Sequence, residues 1–315
     1  MAAETTRLAR GQRAPDFVLP RGDGTPTRFY AVAGGAALVL RFRDGEVSLH
    51  LSATLDEPYE VLTDTDGAVS AAYGVTGGTA AFVLDPNLRV MGFARDLDSP
   101  EIQALFGGAA LDGEPVEVSA QAPVLLLPNV LDEHACAWLI DIWRTQGNVD
   151  TGVEASADLR RAETLSDAHK RRRDHTVSDP QVSRRIAGVV GAAIMPEVRK
   201  AFAYRATRFE GFKIGCYDAS TGGFFRAHRD NLSPSTAHRR FALTLNLNED
   251  YEGGQLRFPE YGPQRYRPPA GGALVFSCSH LHEVLDVTRG RRFVLLSFLY
   301  GDEGRVSTVQ SRGAE

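Results

Sequence analysis

Residues 216–230 read CYDASTGGFFRAHRD, and this stretch decides what the second half of the chain folds into. After a turn rich in small residues, the aromatic run at Phe224 and Phe225 ends in His228, Arg229 and Asp230, which is how a β-strand with polar side chains at its end reads. On a strand, residues i and i+2 point to the same face. His228 and Asp230 are therefore placed to share one metal ion. Alone the pair is weak: with 8 His and 22 Asp in 315 residues, roughly half a His-x-Asp is expected by chance.

The surroundings decide the fold. From Thr207 onward FEGFKIGCY, GFFRAHRD, RFALTLNLN, GQLRFP, QRYRP, GALVFS, LHEVLDV and RFVLLSFLY succeed one another at short intervals, with Gly or Pro turns between them. Eight short strands after two helices predict a double-sheet jelly roll flanked by helices. The first of those helices comes after a strand in LLLPNVLDEHACAWLIDIW, with Asp132 as N-cap and Ala135, Leu139 and Ile142 on the apolar face. The second runs from about Gln181 to Phe202. Between them, residues 147–180 are polar, charged and poorly periodic, which predicts a mobile loop or lid. Gly253 and Gly254 in YEGGQL predict a turn or bulge, because no strand-to-helix Gly-rich loop comes after them that would cradle a phosphate.

The rest of the constellation lies downstream. His282 is 54 residues beyond His228, in LHEVLDV, and Arg292 is ten further on, opening RFVLLSFLY. Two histidines and one carboxylate on facing strands make the facial triad that leaves three positions open on Fe(II). An arginine at the pocket floor supplies a planar fork for a carboxylate. Two alternatives stay open: His280 shares a face with His282, and Arg291 would point inward if the strand ran with the opposite parity.

Four motifs, CYDASTGGFFRAHRD, LNLNEDYEGGQLRFP, PPAGGALVF and LHEVLDVTRGRR, occur in order, and through them residues 121–315 resemble the Fe(II)- and 2-oxoglutarate-dependent dioxygenases of the prolyl 4-hydroxylase-like branch. The resemblance implies a double-stranded β-helix, with His228, Asp230 and His282 holding Fe(II). It also implies that Arg292 binds the distal carboxylate of the cosubstrate 2-oxoglutarate, with Tyr217 as its hydroxyl partner. The reaction implied uses O2 to hydroxylate an unactivated C–H, giving succinate and CO2. Related halogenases replace the carboxylate ligand with a small residue, so an intact Asp230 favours hydroxylation. The chain departs from its relatives in a Tyr217-to-His228 interval one or two residues longer than usual, and in Asp286 where proline often stands. An alternative of another class is a non-catalytic metal-binding module that recruits a partner through the N-terminal lobe.

That lobe alternates short strands with turns: Ala37–Phe42, Glu60–Leu62, Ala80–Leu84 and Arg89–Phe93, the last two joined by an Asp85-Pro86-Asn87 hairpin turn. GQRAPDF, ALVLRF, VLTDTDGAVSAAYGV and FVLDPNLRV carry a resemblance over residues 8–105 to the peroxiredoxin branch of the thioredoxin-like fold, which implies an α/β lobe. In that family a peroxidatic cysteine stands after the first core strand, at a helix N-terminus. Here the segment reads RDGEVSLHLSATLDEPYE and holds no cysteine. The expected organisation is thus a redoxin-like domain without catalytic cysteine over 1–112, a linker over 113–120 and a dioxygenase domain over 121–315.

Composition agrees with an ordinary globular protein: 43% hydrophobic, 24% charged and a formal net charge of −5. The longest apolar stretch, Ala31 to Leu40, is half what a membrane span needs. The first residues hold no apolar core of a secretory signal, which predicts a cytoplasmic protein. Cys136, Cys216 and Cys278 fit neither a disulfide framework nor a zinc knuckle and read as buried thiols. The expected partner is a small-molecule or peptide substrate; the acidic balance argues against nucleic acid, and homo-oligomerisation stays open. The basic run Lys170–Arg173, near Arg160 and Arg161, reads either as a solvated face or as a lid for an anionic substrate, and Arg226, Arg229, Arg239 and Arg240 favour the anionic reading slightly.

Overall fold

The computed structural model describes residues 8–33, 35–50, 58, 60–95, 99–107, 117–151, 153–154, 163–164 and 168–302. The chain divides into two compact units, Met1–Val116 and Glu117–Glu315.

In the first unit the strands Glu60–Thr63, Glu46–His50, Leu38–Arg43, Ala80–Leu84 and Val90–Ala94 form one sheet in that order, and every neighbouring pair is antiparallel. Alternation along the strands gives the sheet two apolar faces: Leu38, Leu40, Phe42 and Phe82 join one cluster, while Val39, Ala81 and Val83 join the other. The Asp85 turn forms as expected, its carboxylate accepting from the backbone N–H groups of Asn87 and Arg89 at 2.9 Å. The first core strand, Leu38–Arg43, runs directly into a hairpin. Asp44 and Gly45 both take positive φ, 49° and 83°, the geometry that suits tight two-residue turns, and Glu46–His50 pairs straight back.

The second unit is built on an eight-stranded and a five-stranded sheet. The larger runs Leu125–Leu127, Ala273–Ser277, Phe241–Asn246, Arg291–Tyr300, Lys213–Asp218, Arg173–Thr176 and Val149–Asp150, with Arg208–Phe209 also pairing with Arg291–Tyr300. The smaller runs Lys170–Arg171, Phe224–His228, His282–Val284, Leu256–Arg257 and Arg265–Tyr266. Strands of the larger sheet are apolar on both faces, which is why FALTLN reads as a continuous buried run. Leu243, Leu245, Val275, Phe293 and Leu295 pack with Leu139, Ile142, Ile186 and Val190 of the helices Glu133–Thr145 and Pro180–Phe202. Ala242, Leu274 and Val294 face the other way and pack with Leu256 and Val284 of the smaller sheet and with Phe258 just past its strand Leu256–Arg257. This β-rich core flanked by helices agrees with a jelly roll.

Both helices start as read: Asp132 accepts from the N–H of Ala135 at 2.7 Å, and Asp179 caps a helix with Pro180 in its first turn. Two expectations need correction. LHEVLDV is two strands, His282–Val284 and Val287–Arg289, separated where Gly253 and Gly254 (φ 75° and 67°) approach. A Cβ on Gly253 would stand 2.2 Å from the carbonyl oxygen of Asp286, so only glycine permits this crossing. Within the stretch expected as a mobile loop, Lys170–Arg171 is a strand of the smaller sheet and Arg173–Thr176 a strand of the larger. Lys170 and Asp174 can be buried here because their charges are paired internally: Arg172 meets Asp174 through two hydrogen bonds of 2.6 and 2.7 Å, and Lys170 reaches Thr151 at 2.7 Å. Arg160 and Arg161 lie outside the described residues.

Candidate metal and cosubstrate site

The smaller sheet carries the histidines and the larger one the arginine. His228 and His282 are direct cross-strand partners, with ring centroids 4.2 Å apart. Asp230 lies two residues past the end of its strand, and its two carboxylate oxygens stand 3.4 Å from Nε2 of His228 and of His282. One donor atom from each of the three residues falls within a 4.8 Å cluster.

The imidazoles are oriented from behind. Nδ1 of His228 lies 2.8 Å from the carbonyl oxygen of Arg226, and Nδ1 of His282 lies 3.0 Å from that of His280. A carbonyl can only accept, so each Nδ1 carries the proton and each Nε2 presents a lone pair toward the cluster. Phe225 stacks on His228 at 3.5 Å and 17°, and Phe276 meets His282 edge-on at 4.6 Å, which holds both rings in place. Burial pushes His282 down to about 4, outweighing the attraction of Asp230. Burial also works against the charge on Asp230, but the histidines beside it and the more distant Arg239 hold it down at about 2. Neutral imidazole and ionised carboxylate are the states that ligate a divalent cation. His280 belongs elsewhere: its Nδ1 is 3.0 Å from the hydroxyl of Tyr261.

Arg292 is 1% exposed and points between the sheets, with Val294 beside it on the same face, whereas Arg291 points to solvent and pairs with Asp218. Among the described residues Arg292 has no carboxylate partner. Its Nε and Nη2 donate to Oδ1 of Asn246 at 3.2 and 2.9 Å, and among the described residues its Nη1 has no acceptor. A buried guanidinium held by a neutral amide, with one edge free, fits a carboxylate ligand. Asn246 is itself locked, its amide donating to the Tyr251 hydroxyl and to the carbonyl oxygen of Pro268. The sequence reading missed Asn246. Its signal is that every polar residue of FALTLNLN, Thr244, Asn246 and Asn248, falls at the parity of Ala242, the face toward the smaller sheet.

Tyr217 pairs in register with Arg292, whose guanidinium carbon is 5.6 Å from the Tyr217 ring centroid. Arg172 donates to the Tyr217 hydroxyl at 3.1 Å, a partner also missed because Arg172 sits in a stretch that reads as loop. The basic residues near the triad are matched locally: Arg226 with Asp286 at 3.0 Å, Arg229 with Glu260 at 2.5 Å and Arg239 with Glu210 at 2.6 Å. The charges of these three are therefore balanced by carboxylates of the chain itself. All three cysteines are free and buried, and burial pushes the thiols of Cys136 and Cys216 up to about 11 and 12.

Fold and site together give a β-rich domain in which His228, Asp230 and His282 could hold a metal ion as a facial triad. Residues 212–300 match the family described as the 2OG-Fe(II) oxygenase superfamily, which uses Fe(II), 2-oxoglutarate and O2, and the donor set above suits those cofactors. Curated relatives include a PKHD-type hydroxylase of Synechococcus sp. (strain JA-2-3B'a(2-13)), 32% identical over 123 residues that cover 37% of this chain and 54% of that protein. Another, from Polaromonas sp. (strain JS666 / ATCC BAA-500), is 28% identical over 191 residues, 58% of this chain and 82% of that one. The chain spans about half the length of the first of these. Among solved structures, a Pseudomonas putida prolyl-4-hydroxylase is 19% identical, with a TM-score of 0.43 over 57% of this chain and 93% of its own.

Proposed function

We propose that this protein is an Fe(II)- and 2-oxoglutarate-dependent dioxygenase that hydroxylates an unactivated C–H of a peptidyl, amino-acid-like or small-metabolite substrate. His228, Asp230 and His282 hold the metal, Arg292 grips the distal carboxylate of 2-oxoglutarate, and Tyr217, oriented by Arg172, is its hydroxyl partner. One oxygen atom of O2 enters the substrate as hydroxyl and the other enters succinate as 2-oxoglutarate loses CO2. Bound Fe(II) supplies the electron-transfer chemistry that lets O2 react. The chain's own part is to present two Nε2 lone pairs and one carboxylate, to brace both imidazoles with Phe225 and Phe276 and to fix the cosubstrate by its far end.

One observation carries the reading: three donor atoms converge within 4.8 Å with both Nδ1 atoms already committed to backbone carbonyls. The test is anaerobic titration of the metal-free protein with Fe(II) and 2-oxoglutarate, monitoring the visible metal-to-ligand charge-transfer band, with His228→Ala as control. A band in wild type that the variant lacks is the expected result. A folded wild-type protein without the band refutes the reading. A band without any 2-oxoglutarate turnover would favour the partner-recruiting module.

The N-terminal unit we read as a redoxin-like lobe without thiol chemistry. Supporting this are the ordered motifs of residues 8–105 and the absence of cysteine before Cys136. The full chain is then expected to consume no peroxide with a thiol reductant, and consumption above background would overturn it. A cytoplasmic location fits the three free thiols and the lack, among the described residues, of a helix long and apolar enough to cross a membrane.

A further inference from the structure

Asp230 differs from the two histidines in how it is held. His228 and His282 sit on paired strands, where the ladder fixes the backbone, whereas Asp230 lies in the connection from Phe224–His228 to Phe241–Asn246. A ligand on a connection needs its own anchor, and two are present. The Asp230 N–H donates to the carbonyl oxygen of Cys278 at 3.0 Å, and the Asp230 carbonyl accepts from Nη1 of Arg239 at 3.2 Å.

Arg239 closes the far end of the same connection. Its Nε and Nη2 donate to the two carboxylate oxygens of Glu210, both at 2.6 Å, and its guanidinium carbon lies 3.9 Å from the ring centroid of Phe298. Glu210 is tied in turn to the long strand Arg291–Tyr300, its N–H donating to the carbonyl oxygen of Phe298 at 2.9 Å. The anchoring runs unbroken from that strand through Glu210 and Arg239 to the backbone of Asp230. We infer that Arg239, clamped by Glu210, is the positioning residue that sets Asp230 as a metal ligand.

The inference rests on the triad reading above. It also explains the residue type: a fork that grips a carboxylate on one edge while a third nitrogen reaches a carbonyl is available to arginine and not to lysine. Groups behind a metal ligand characteristically act on metal affinity, where their loss costs about 10–100-fold.

The experiment is Co(II) titration of the full-length metal-free protein, monitored by the visible d–d spectrum, with circular dichroism and melting temperature of each metal-free variant. Arg239→Ala is expected to bind Co(II) about 10–100-fold more weakly and with an altered spectrum, because the carboxylate is no longer aimed. Arg239→Lys should recover only part of the loss, and Glu210→Gln should weaken binding in the same direction. A folded Arg239→Ala protein with wild-type affinity and spectrum overturns the inference. If that variant does not fold, Glu210→Gln decides by the same measure. Wild type that binds no Co(II) refutes the triad reading itself, and the inference falls with it.

Discussion

Replacing Arg292 by methionine removes the guanidinium while keeping a long apolar stem in the inter-sheet core. Two charge-assisted hydrogen bonds to the distal carboxylate, at about 1.5–3 kcal/mol each, amount to about 3–6 kcal/mol, or roughly a 10²–10⁴-fold loss of 2-oxoglutarate affinity. Stability moves far less. Asn246 loses both donors to its Oδ1, a cost of about 1–3 kcal/mol, while a buried cation without a carboxylate partner disappears, a gain of the same order. The net change should stay below about 2 kcal/mol, or about 8 °C in melting temperature. The assay is anaerobic cosubstrate titration with 2-oxoglutarate and with 2-oxobutyrate, which has no distal carboxylate. Wild type should prefer 2-oxoglutarate strongly, and the variant should bind the two alike. A variant that is folded and still discriminates as wild type does would refute the role assigned to Arg292.

Three further outcomes are expected from the geometry. In metal-free protein, an unfolded chain takes up a proton on residue 282 below about pH 6.5 that the native state refuses until about 4. Stability from this group is therefore present above pH 6.5 and lost as pH falls to 4, on the order of 3 kcal/mol, and His282→Asn should remove that slope in pH-dependent melting; an unchanged slope would count against the buried neutral state. Gly253→Ala must hold φ near 75° against the carbonyl of Asp286, so it should destabilise the second unit by about 2 kcal/mol or more and weaken metal binding, whereas wild-type melting would show that the crossing relaxes. In the N-terminal unit the Asp64 carboxylate accepts from the N–H groups of Val69 and Ser70 and from the Ser70 hydroxyl, so Asp64→Ala should lower that unit's stability by about 2 kcal/mol in chemical denaturation.

Much of this site is legible in the chain. The spacing of His228 and Asp230 at a strand end fixes their common side, because side-chain direction along a strand is a local property with period two. The N-cap Asp132 and the Asp85 turn are equally local, since each satisfies backbone N–H groups within a few residues. Choices between near neighbours were not legible. Whether Arg291 or Arg292 faces inward depends on which face of Arg291–Tyr300 meets the smaller sheet, and helices cover the other face with equally apolar residues. His280 and His282 share a parity, and what separates them is Tyr261, which engages His280.

The stretch 170–176 shows the limit most clearly. Its sequence is polar and charged, and by periodicity it is a loop; in the fold it is two short strands either side of Arg172, because Asp174 and Thr151 satisfy Lys170 and Arg172 where burial would otherwise forbid them. The sequence by itself determined the strand-rich architecture, the helix starts and the residues able to ligate a metal, since these arise from patterns of a few residues. Tertiary structure alone decided what stands behind them: Asn246 behind Arg292, Arg172 behind Tyr217, and Arg239 with Glu210 behind Asp230. Each of these joins residues 9 to 46 positions apart, and the free energy of such a contact depends on burial and distance, quantities that no local pattern of residues encodes.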